Sequence, residues 1–490
     1  MYGPHLAKLE RPMPRLQSTL ILSLLLAACQ GEQLPIDSAE DKADQISGED
    51  DPSGLLTNAK RRLSDLVGAA DIGQRYSVPD DEVPYPDTYW ASATNGIDGV
   101  WLEKSGKKCG SRCSDPDLSP LQKFVAITDP QQTNEARRWE RENHGSETPN
   151  VDAWWGHCPG WTAAAMTTKP LLHGVYARSA GARGVEACQQ GSDGCVRFEI
   201  GDINALQAEI QIGGSYSMIG SNCDLEAGNI STDEFGRILD PGCKGLNAGS
   251  MLIVLANRIK MQRKPFAIDI QSRSTSSQIW NQPAYAYQIN RFEPLTEEQA
   301  ANLVAFGKKQ GSLSEYQFNE KAKGFALVDW SLDWVTEFGP NIKVVKGTDS
   351  TKTTRMVTVI ELDAQASNPE AQVIGGEYIE DGTEKTSRFD VAPYAWIALG
   401  PGSDLLDHNP YVTSAEVMQL VAMARDETPI PVPLPPGTCA HGFCEQGAPL
   451  VASCDSCAAS VCAEEPSCCT EAWSFACIGL AEDNCDAFCF

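Results

Sequence analysis

The cysteines of this chain are concentrated at its C-terminal end. Ten of the 18 cysteines lie between Cys439 and Cys489. Such a density is typical of small modules in an oxidising compartment, where disulfides replace a hydrophobic core too small to stabilise the fold. We therefore predict a disulfide-rich domain over residues 439–490, held by five bridges. A zinc site at Cys454-x-x-Cys457 is the alternative.

The odd number of cysteines elsewhere gives one of them a different role. Cys29 belongs to the export signal described below. Six of the remaining seven fall into local pairs, which are Cys109 with Cys113, Cys188 with Cys195, and Cys223 with Cys243. Cys158 is left over, and an odd cysteine in an exported chain indicates a reactive thiol. The alternative is a buried half-cystine.

The N-terminal residues have the pattern of an export signal. Arg11 and Arg15 precede a short apolar stretch, and Leu-Ala-Ala then precedes Cys29. This order resembles a bacterial lipobox, so residues 1–28 are predicted to be a lipoprotein signal peptide and Cys29 to carry lipid. An ordinary signal peptide is the alternative. Residues 29–83 are acidic and poor in apolar side chains, which predicts a disordered tether.

Residues 84–427 have the mixed composition of a globular domain. The apolar run 247–257 predicts a buried helix or a buried strand, and a helix is expected to begin at Cys158. Strands are predicted at 265–270, 285–289, 356–362 and 371–379. Together these elements predict an α+β fold with a largely antiparallel sheet. Residues 428–438 alternate proline with apolar residues and predict a stiff linker.

The net charge excludes one class of partner. The chain has 39 Lys and Arg residues against 66 Asp and Glu residues, a formal charge of −27. A surface of this sign repels a phosphate backbone, so we predict no nucleic acid partner.

The segment 152–166 has the features of a nucleophile site. Cys158 follows a Gly-His pair and opens a run of Ala, Thr and Met, so it should lie at the start of a helix. The N-terminus of a helix favours negative charge and therefore the thiolate. Papain-like and transglutaminase-like enzymes combine such a cysteine with a carboxylate on a later strand, and Asp269 occupies that place.

Two tryptophan-containing motifs resemble a known family. The segment Trp155-Gly-His-Cys-Pro-Gly-Trp161 resembles the nucleophile segment of the oomycete and bacterial transglutaminase elicitor family. The segment Ile279-Trp-Asn-Gln-Pro283 is similar to that family's surface-exposed elicitor segment. The resemblance covers roughly residues 85–425. The tail resembles cysteine-rich modules of secreted myxobacterial proteins.

The resemblance implies a protein-glutamine γ-glutamyltransferase with a cysteine-protease/transglutaminase-like core. Its substrates would be protein or peptide glutamines and lysine or other amines, and deamidation would be the reaction with water. Cys158 would form the thioester, and Asp269 would be the acidic residue. We add His157 as the candidate base. We expect the substrate to contact Trp155, Trp161, Trp280 and Asn281. No metal ligands or cofactor are predicted, although the resemblance leaves calcium open.

One position departs from the family pattern. The family has a histidine about five residues after the position of Asn247, where this chain has Leu252. Leucine cannot accept a proton, so either the family pattern is placed on this segment in the wrong register, another histidine serves, or the site is inactive. Two alternatives therefore remain: a cysteine protease or amidase that gives the acyl group to water, and a catalytically inactive cell-surface binding protein.

Overall fold

The fold is given by a computed structural model. Residues 1–45, which include the predicted signal peptide and Cys29, lie outside its described part, as does the predicted pair Cys109–Cys113. The described residues are 46, 48–101, 118–221, 223, 225, 229–231, 239–240, 243–270, 278–304, 318–379, 394–400, 408–429, 439, 442–443, 446–452 and 454–485.

The described chain contains both helices and strands, mostly in short runs of one kind. The strands are β1 (Arg75–Ser77), β2 (Val175–Ser179), β3 (Val185–Ala187), β4 (Val196–Phe198), β5 (Ser215–Gly220), β6 (Phe266–Asp269), β7 (Asn281–Leu295), β8 (Gly324–Val335), β9 (Thr351–Leu362), β10 (Val373–Ile379) and β11 (Tyr394–Gly400). The helices are α1 (Leu63–Leu66), α2 (Pro120–Thr128), α3 (Thr133–Asn143), α4 (Cys158–Thr167), α5 (Ile200–Ile212), α6 (Ala248–Leu255), α7 (Glu297–Val304), α8 (Ser414–Ala424), α9 (Ser456–Glu464), α10 (Ser467–Thr470) and α11 (Phe475–Cys485).

An antiparallel sheet organises the middle of the chain. Its strand order is β10-β9-β8-β7-β6-β11-β5, and β1 also pairs with β7. Strands β3, β2 and β4 form a smaller antiparallel sheet. The predicted strands correspond to β6, β7, β9 and β10, and the ambiguous run 247–257 forms helix α6, extended by a π-helical turn. The predicted α+β fold is therefore confirmed.

The large sheet is covered on both faces, and β6 shows how its residues divide between them. Phe266 and Ile268 belong to the apolar cluster that also contains helix α6. Ala267, between them, packs instead with Ala163 of helix α4. Successive side chains of a strand point to opposite faces. Helix α6 and helix α4 therefore lie on opposite faces of the sheet at this point.

The prediction of a disordered tether is wrong for residues 48–83. Leu55, Leu56, Leu63 and Leu66 are buried in the core on the α6 face of the sheet. The backbone is also fixed, because β1 pairs with β7 and the N–H of Leu63 donates to the carbonyl of Ala371. A few leucines spaced among acidic residues are enough to anchor this segment.

The C-terminal residues form a disulfide-rich module around the buried Trp473, as predicted. Cys454 and Cys457 both belong to disulfides, which excludes the zinc alternative. The described bridges of the module are Cys439–Cys454, Cys457–Cys485, Cys462–Cys469 and Cys468–Cys477. In the middle region the predicted pairs Cys188–Cys195 and Cys223–Cys243 are confirmed. In the described part of the chain, no helix has the length and apolarity needed to cross a membrane.

Candidate active site

Cys158 is the first residue of helix α4, as the sequence predicts. It belongs to no disulfide and is 5% exposed. Its thiol donates a hydrogen bond to the carbonyl oxygen of Asn281, 3.1 Å from Sγ. The hydroxyl of Thr162, one turn further along the helix, donates to the same oxygen at 2.9 Å. These two contacts attach the start of α4 to the start of β7.

The side chain of Asn281 is held by two aromatic residues of β11. Its Oδ1 accepts hydrogen bonds from the hydroxyl of Tyr394, at 3.0 Å, and from Nε1 of Trp396, at 2.8 Å. Tyr394 and Trp396 were not recognised as site residues from the sequence. They lie in a short apolar run, and only the pairing of β11 with β6 brings them to Asn281.

Asp269 lies opposite Asn281 in the pairing of β6 with β7. Its side chain is buried, and its Oδ1 accepts a hydrogen bond of 2.8 Å from the backbone N–H of Trp280. Asp269 shares its sheet face with Ala267, which packs on helix α4. The structure therefore brings Cys158, Asn281 and Asp269 to one face of the sheet, as expected for Cys158 and Asp269.

His157 does not have the position expected of a general base for Cys158. Its imidazole is fully buried, with Nε2 2.6 Å from Oε2 of Glu209 and Nδ1 3.2 Å from the carbonyl oxygen of Trp90. Both ring nitrogens are thus occupied away from the thiol. The prediction of His157 as the base for Cys158 is therefore corrected. Adjacent residues at a helix start point in different directions, so neighbours in sequence need not contact each other.

The four tryptophans near the site differ in burial. Trp161 is fully buried in the apolar cluster that contains helix α5, so the prediction that it contacts substrate is wrong. It lies three residues after Cys158 and faces the neighbouring helix instead of the sheet. Trp155, Trp280 and Trp154 are partly buried, and Trp280 packs edge-on against Tyr89. Trp155 and Trp280 remain candidates for substrate contact.

Two expectations from the family resemblance do not hold. The segment from Asn281 to Tyr287 is buried within β7, so it is not a surface-exposed segment. Leu252 is fully buried on the α6 face of the sheet, opposite the face that carries Cys158. A histidine at position 252 would therefore be separated from the thiol by the sheet.

A glycine sets the position of helix α4. At Gly160 a Cβ atom would lie 2.1 Å from the carbonyl oxygen of Ala208 in helix α5, a distance no side chain tolerates. Helices α4 and α5 cross in close backbone contact at this point. The Pro-Gly that follows Cys158 thus allows the helix carrying the nucleophile to seat directly on α5.

The residue before Cys158 is hydrogen-bonded to a neighbouring segment that contains the buried carboxyl group of Asp87. The carbonyl of Tyr89 accepts the N–H of His157, and Nε1 of Trp90 donates to Asp87 at 3.2 Å. Asp87 is 2% exposed, and this burial raises its pKa to about 7 despite hydrogen bonds from Thr88 and Trp90, with a further increase from the charge of Glu337. The folded protein therefore favours the protonated form of Asp87.

Asp87→Asn should flatten the dependence of stability on pH. In the wild type, a raised carboxyl pKa contributes stability below about pH 4 that is lost as pH rises to about 7. A shift from 3.8 to about 7 corresponds to at most about 4 kcal/mol. Urea unfolding at pH 4.5 and pH 8 should show the variant gaining relative to wild type at pH 8. Asp80→Asn, at an exposed position, is the control, and parallel curves for wild type and Asp87→Asn would contradict the prediction.

Comparison with known proteins identifies the family. Residues 122–400 match the family described as "Transglutaminase elicitor", and residues 437–489 match a "Domain of unknown function (DUF8252)". The crystal structure of the GP42 transglutaminase from Phytophthora sojae superposes with a TM-score of 0.50 at 16% identity, covering 77% of this chain and 97% of that chain. At this identity the likeness shows the fold. No curated protein sequence matches. The chain belongs to the transglutaminase elicitor family.

Proposed function

We propose that this protein is an exported transglutaminase that transfers glutamine acyl groups through a thioester on Cys158. One observation carries the proposal: a reduced cysteine at the N-terminus of a helix shares a sheet face with the buried carboxylate of Asp269. The helix N-terminus stabilises a thiolate, and a thiolate is the nucleophile that attacks an amide carbon.

The reaction would proceed in two steps at Cys158. In the first, Sγ forms a bond to the side-chain carbon of a glutamine, the C–N bond breaks, and the thiol proton leaves on ammonia. In the second, an amine attacks the thioester, forms the isopeptide bond, and returns a proton to Sγ. We assign Asp269 the role of orienting or transferring this proton, because it lies opposite Asn281, whose carbonyl binds the thiol.

The thiol is closed to substrate in this conformation. Cys158 is 5% exposed and donates its proton to the carbonyl of Asn281, so a glutamine side chain must displace this contact. Trp155 and Trp280, which are partly buried, are the candidates to move with the substrate. We therefore expect labelling of Cys158 by iodoacetamide to be slow in the native protein and fast after unfolding in urea.

The disulfides and the N-terminal sequence pattern support export. The described disulfides in the middle region and the tail are typical of an oxidising compartment. We propose that the chain is exported, and that lipid on Cys29 anchors it to a membrane at the bacterial envelope. Mass spectrometry of the mature N-terminus tests this, since a diacylated Cys29 is expected and an unmodified N-terminus elsewhere would contradict it.

The deciding experiment is incorporation of a fluorescent amine into casein by the purified full chain, with and without calcium. Incorporation that ends after alkylation of Cys158, with an isopeptide identified by mass spectrometry, is the expected result. Release of ammonia or of peptides without amine incorporation would identify an amidase or a protease instead. The amine acceptor therefore separates the two enzymatic classes.

An inactive binding protein is the second candidate, and the position of His157 favours it. The imidazole adjacent to Cys158 contacts Glu209 instead of the thiol, with Nε2 2.6 Å from Oε2. Absence of amine incorporation and of hydrolysis, with and without calcium, in a protein whose Cys158 reacts with iodoacetamide would support this candidate over the transferase.

A further inference from the structure

Four buried ionisable residues form a compact cluster behind the nucleophile. Glu140 lies on α3, His144 directly follows α3, His157 immediately precedes α4, and Glu209 lies on α5. We refer to these four residues as the His/Glu cluster. One nitrogen or oxygen from each residue lies within 4.8 Å of all the others, and each residue is at most 8% exposed.

Two carboxylates in a buried position require compensating positive charge. Without a metal ion, this charge would come from the imidazoles. His157 fits this arrangement, because its Nε2 lies 2.6 Å from Oε2 of Glu209 and its Nδ1 lies 3.2 Å from the carbonyl oxygen of Trp90. The second imidazole, His144, fits this arrangement less well. Its Nδ1 is buried, 3.3 Å from Oε1 of Glu209, yet makes no hydrogen bond.

We infer that the His/Glu cluster binds a divalent transition metal ion such as zinc, through one atom of each residue. With metal–ligand distances of about 2.0–2.1 Å, neighbouring ligands in a tetrahedral site are separated by about 3.4 Å. His144 Nδ1 lies 3.3 Å from Glu209 Oε1, and His157 Nε2 lies 3.4 Å from Glu140 Oε1. These are two opposite edges of such a tetrahedron. The orphaned Nδ1 of His144 would then be a ligand.

The surroundings of the cluster support ligand geometry. Nδ1 of His157 faces the Trp90 carbonyl, which keeps a proton on that nitrogen, so a metal ion would replace the proton that Nε2 shares with Glu209. Glu140 accepts hydrogen bonds from the N–H of Ile97, at 3.1 Å, and from Nδ2 of Asn409, at 3.1 Å. The backbone N–H of Asn409 also donates to Glu209. Donors outside the His/Glu cluster thus orient both carboxylates.

The wall of the cluster leaves no room for a side chain at Gly96. A Cβ there would lie 2.5 Å from Oε1 of Glu140 and 2.8 Å from Cε1 of His157, and the backbone has φ +52°. Two imidazoles with two carboxylates favour zinc and related transition metals over calcium or magnesium, which prefer oxygen ligands alone. The ion would join α3, α5 and the residue preceding α4, and so fix the start of the helix that carries Cys158. This inference is independent of the proposed acyl transfer.

The test is the metal content of the full chain produced in medium containing zinc, manganese and cobalt. We expect about one equivalent of metal per chain, retained by His173→Ala and lost by His144→Ala and Glu140→Gln. His173 is the matched control because it is a partly exposed histidine that contacts Asp426. Removal of the metal by dipicolinate should lower the melting temperature by at least about 5 °C, and the ion should restore it.

The cobalt-loaded wild type gives a readout that does not depend on a variant folding. The visible spectrum of tetrahedral cobalt without a thiolate charge-transfer band is expected for two imidazoles and two carboxylates. A thiolate band would place the ion at a cysteine and overturn the inference. Wild-type protein that contains no transition metal, binds only calcium or magnesium, or retains its metal in a folded His144→Ala variant would overturn it as well.

Discussion

Cys158→Ala should lower the rate of amine incorporation by at least about 1,000-fold while the protein remains folded. The variant has no group that can form the thioester. Its fold should persist because the side chain is small and because the Asn281 carbonyl keeps the hydrogen bond from Thr162. No buried acceptor is therefore left without a partner. The measurement is fluorescent amine incorporation, with circular dichroism and the melting temperature recorded for each variant.

Two further variants identify the role of each group. Cys158→Ser retains a donor to the Asn281 carbonyl but is a poor nucleophile, so it should match alanine in rate and wild type in stability. Asp269→Asn keeps an acceptor for the N–H of Trp280 but loses the charge, and should lower the rate by about 100-fold. Activity that survives Cys158→Ala would exclude the thioester mechanism, and full activity of Asp269→Asn would exclude its role in proton transfer.

The start of helix α4 could be predicted because it depends on neighbouring residues in the sequence. A Gly-His pair ends the loop, and Cys-Pro-Gly opens a run of helix-forming residues. The strands were predictable for the same reason, since β6, β7, β9 and β10 each show apolar and β-branched runs. The parity of the cysteines also needed no structure, and the local pairs Cys188–Cys195 and Cys223–Cys243 confirm it where described.

The direction of a side chain was not predictable in the same way. His157 and Cys158 are neighbours, yet one enters a buried cluster and the other faces the sheet. Glu140 and Glu209 look like ordinary acidic residues of two helices distant in sequence, and only the fold brings them together as buried partners of histidines. The spacing of a motif cannot show on which face of a sheet a helix packs, and so the sequence alone did not reveal that a sheet separates Leu252, at the family's histidine position, from the thiol.

Lys123→Met should lower the free energy of unfolding by about 3–5 kcal/mol. Lys123, on α2, and Asp202, on α5, are both fully buried, with Nζ 2.7 Å from Oδ2. Methionine keeps the length of the side chain but leaves the carboxylate buried without its counter-charge. Asp202 would retain neutral donors, from Nε1 of Trp101 and the N–H of Glu199, which cannot replace the lost charge.

An exposed ion pair on the same protein provides the control. Lys169 lies against Asp81 with 46% and 67% of the two side chains exposed, so solvent screens the pair and Lys169→Met should change the free energy of unfolding little. The double variant Lys123→Met/Asp202→Asn should recover part of the loss, because neither charge then remains buried. Urea unfolding with the disulfides intact measures all three. Equal losses for Lys123→Met and Lys169→Met would show that the pair is hydrated in solution. A large loss of unfolding free energy for Lys123→Met alone would show instead that a desolvated charge pair joins α2 to α5, the helix on which α4 packs.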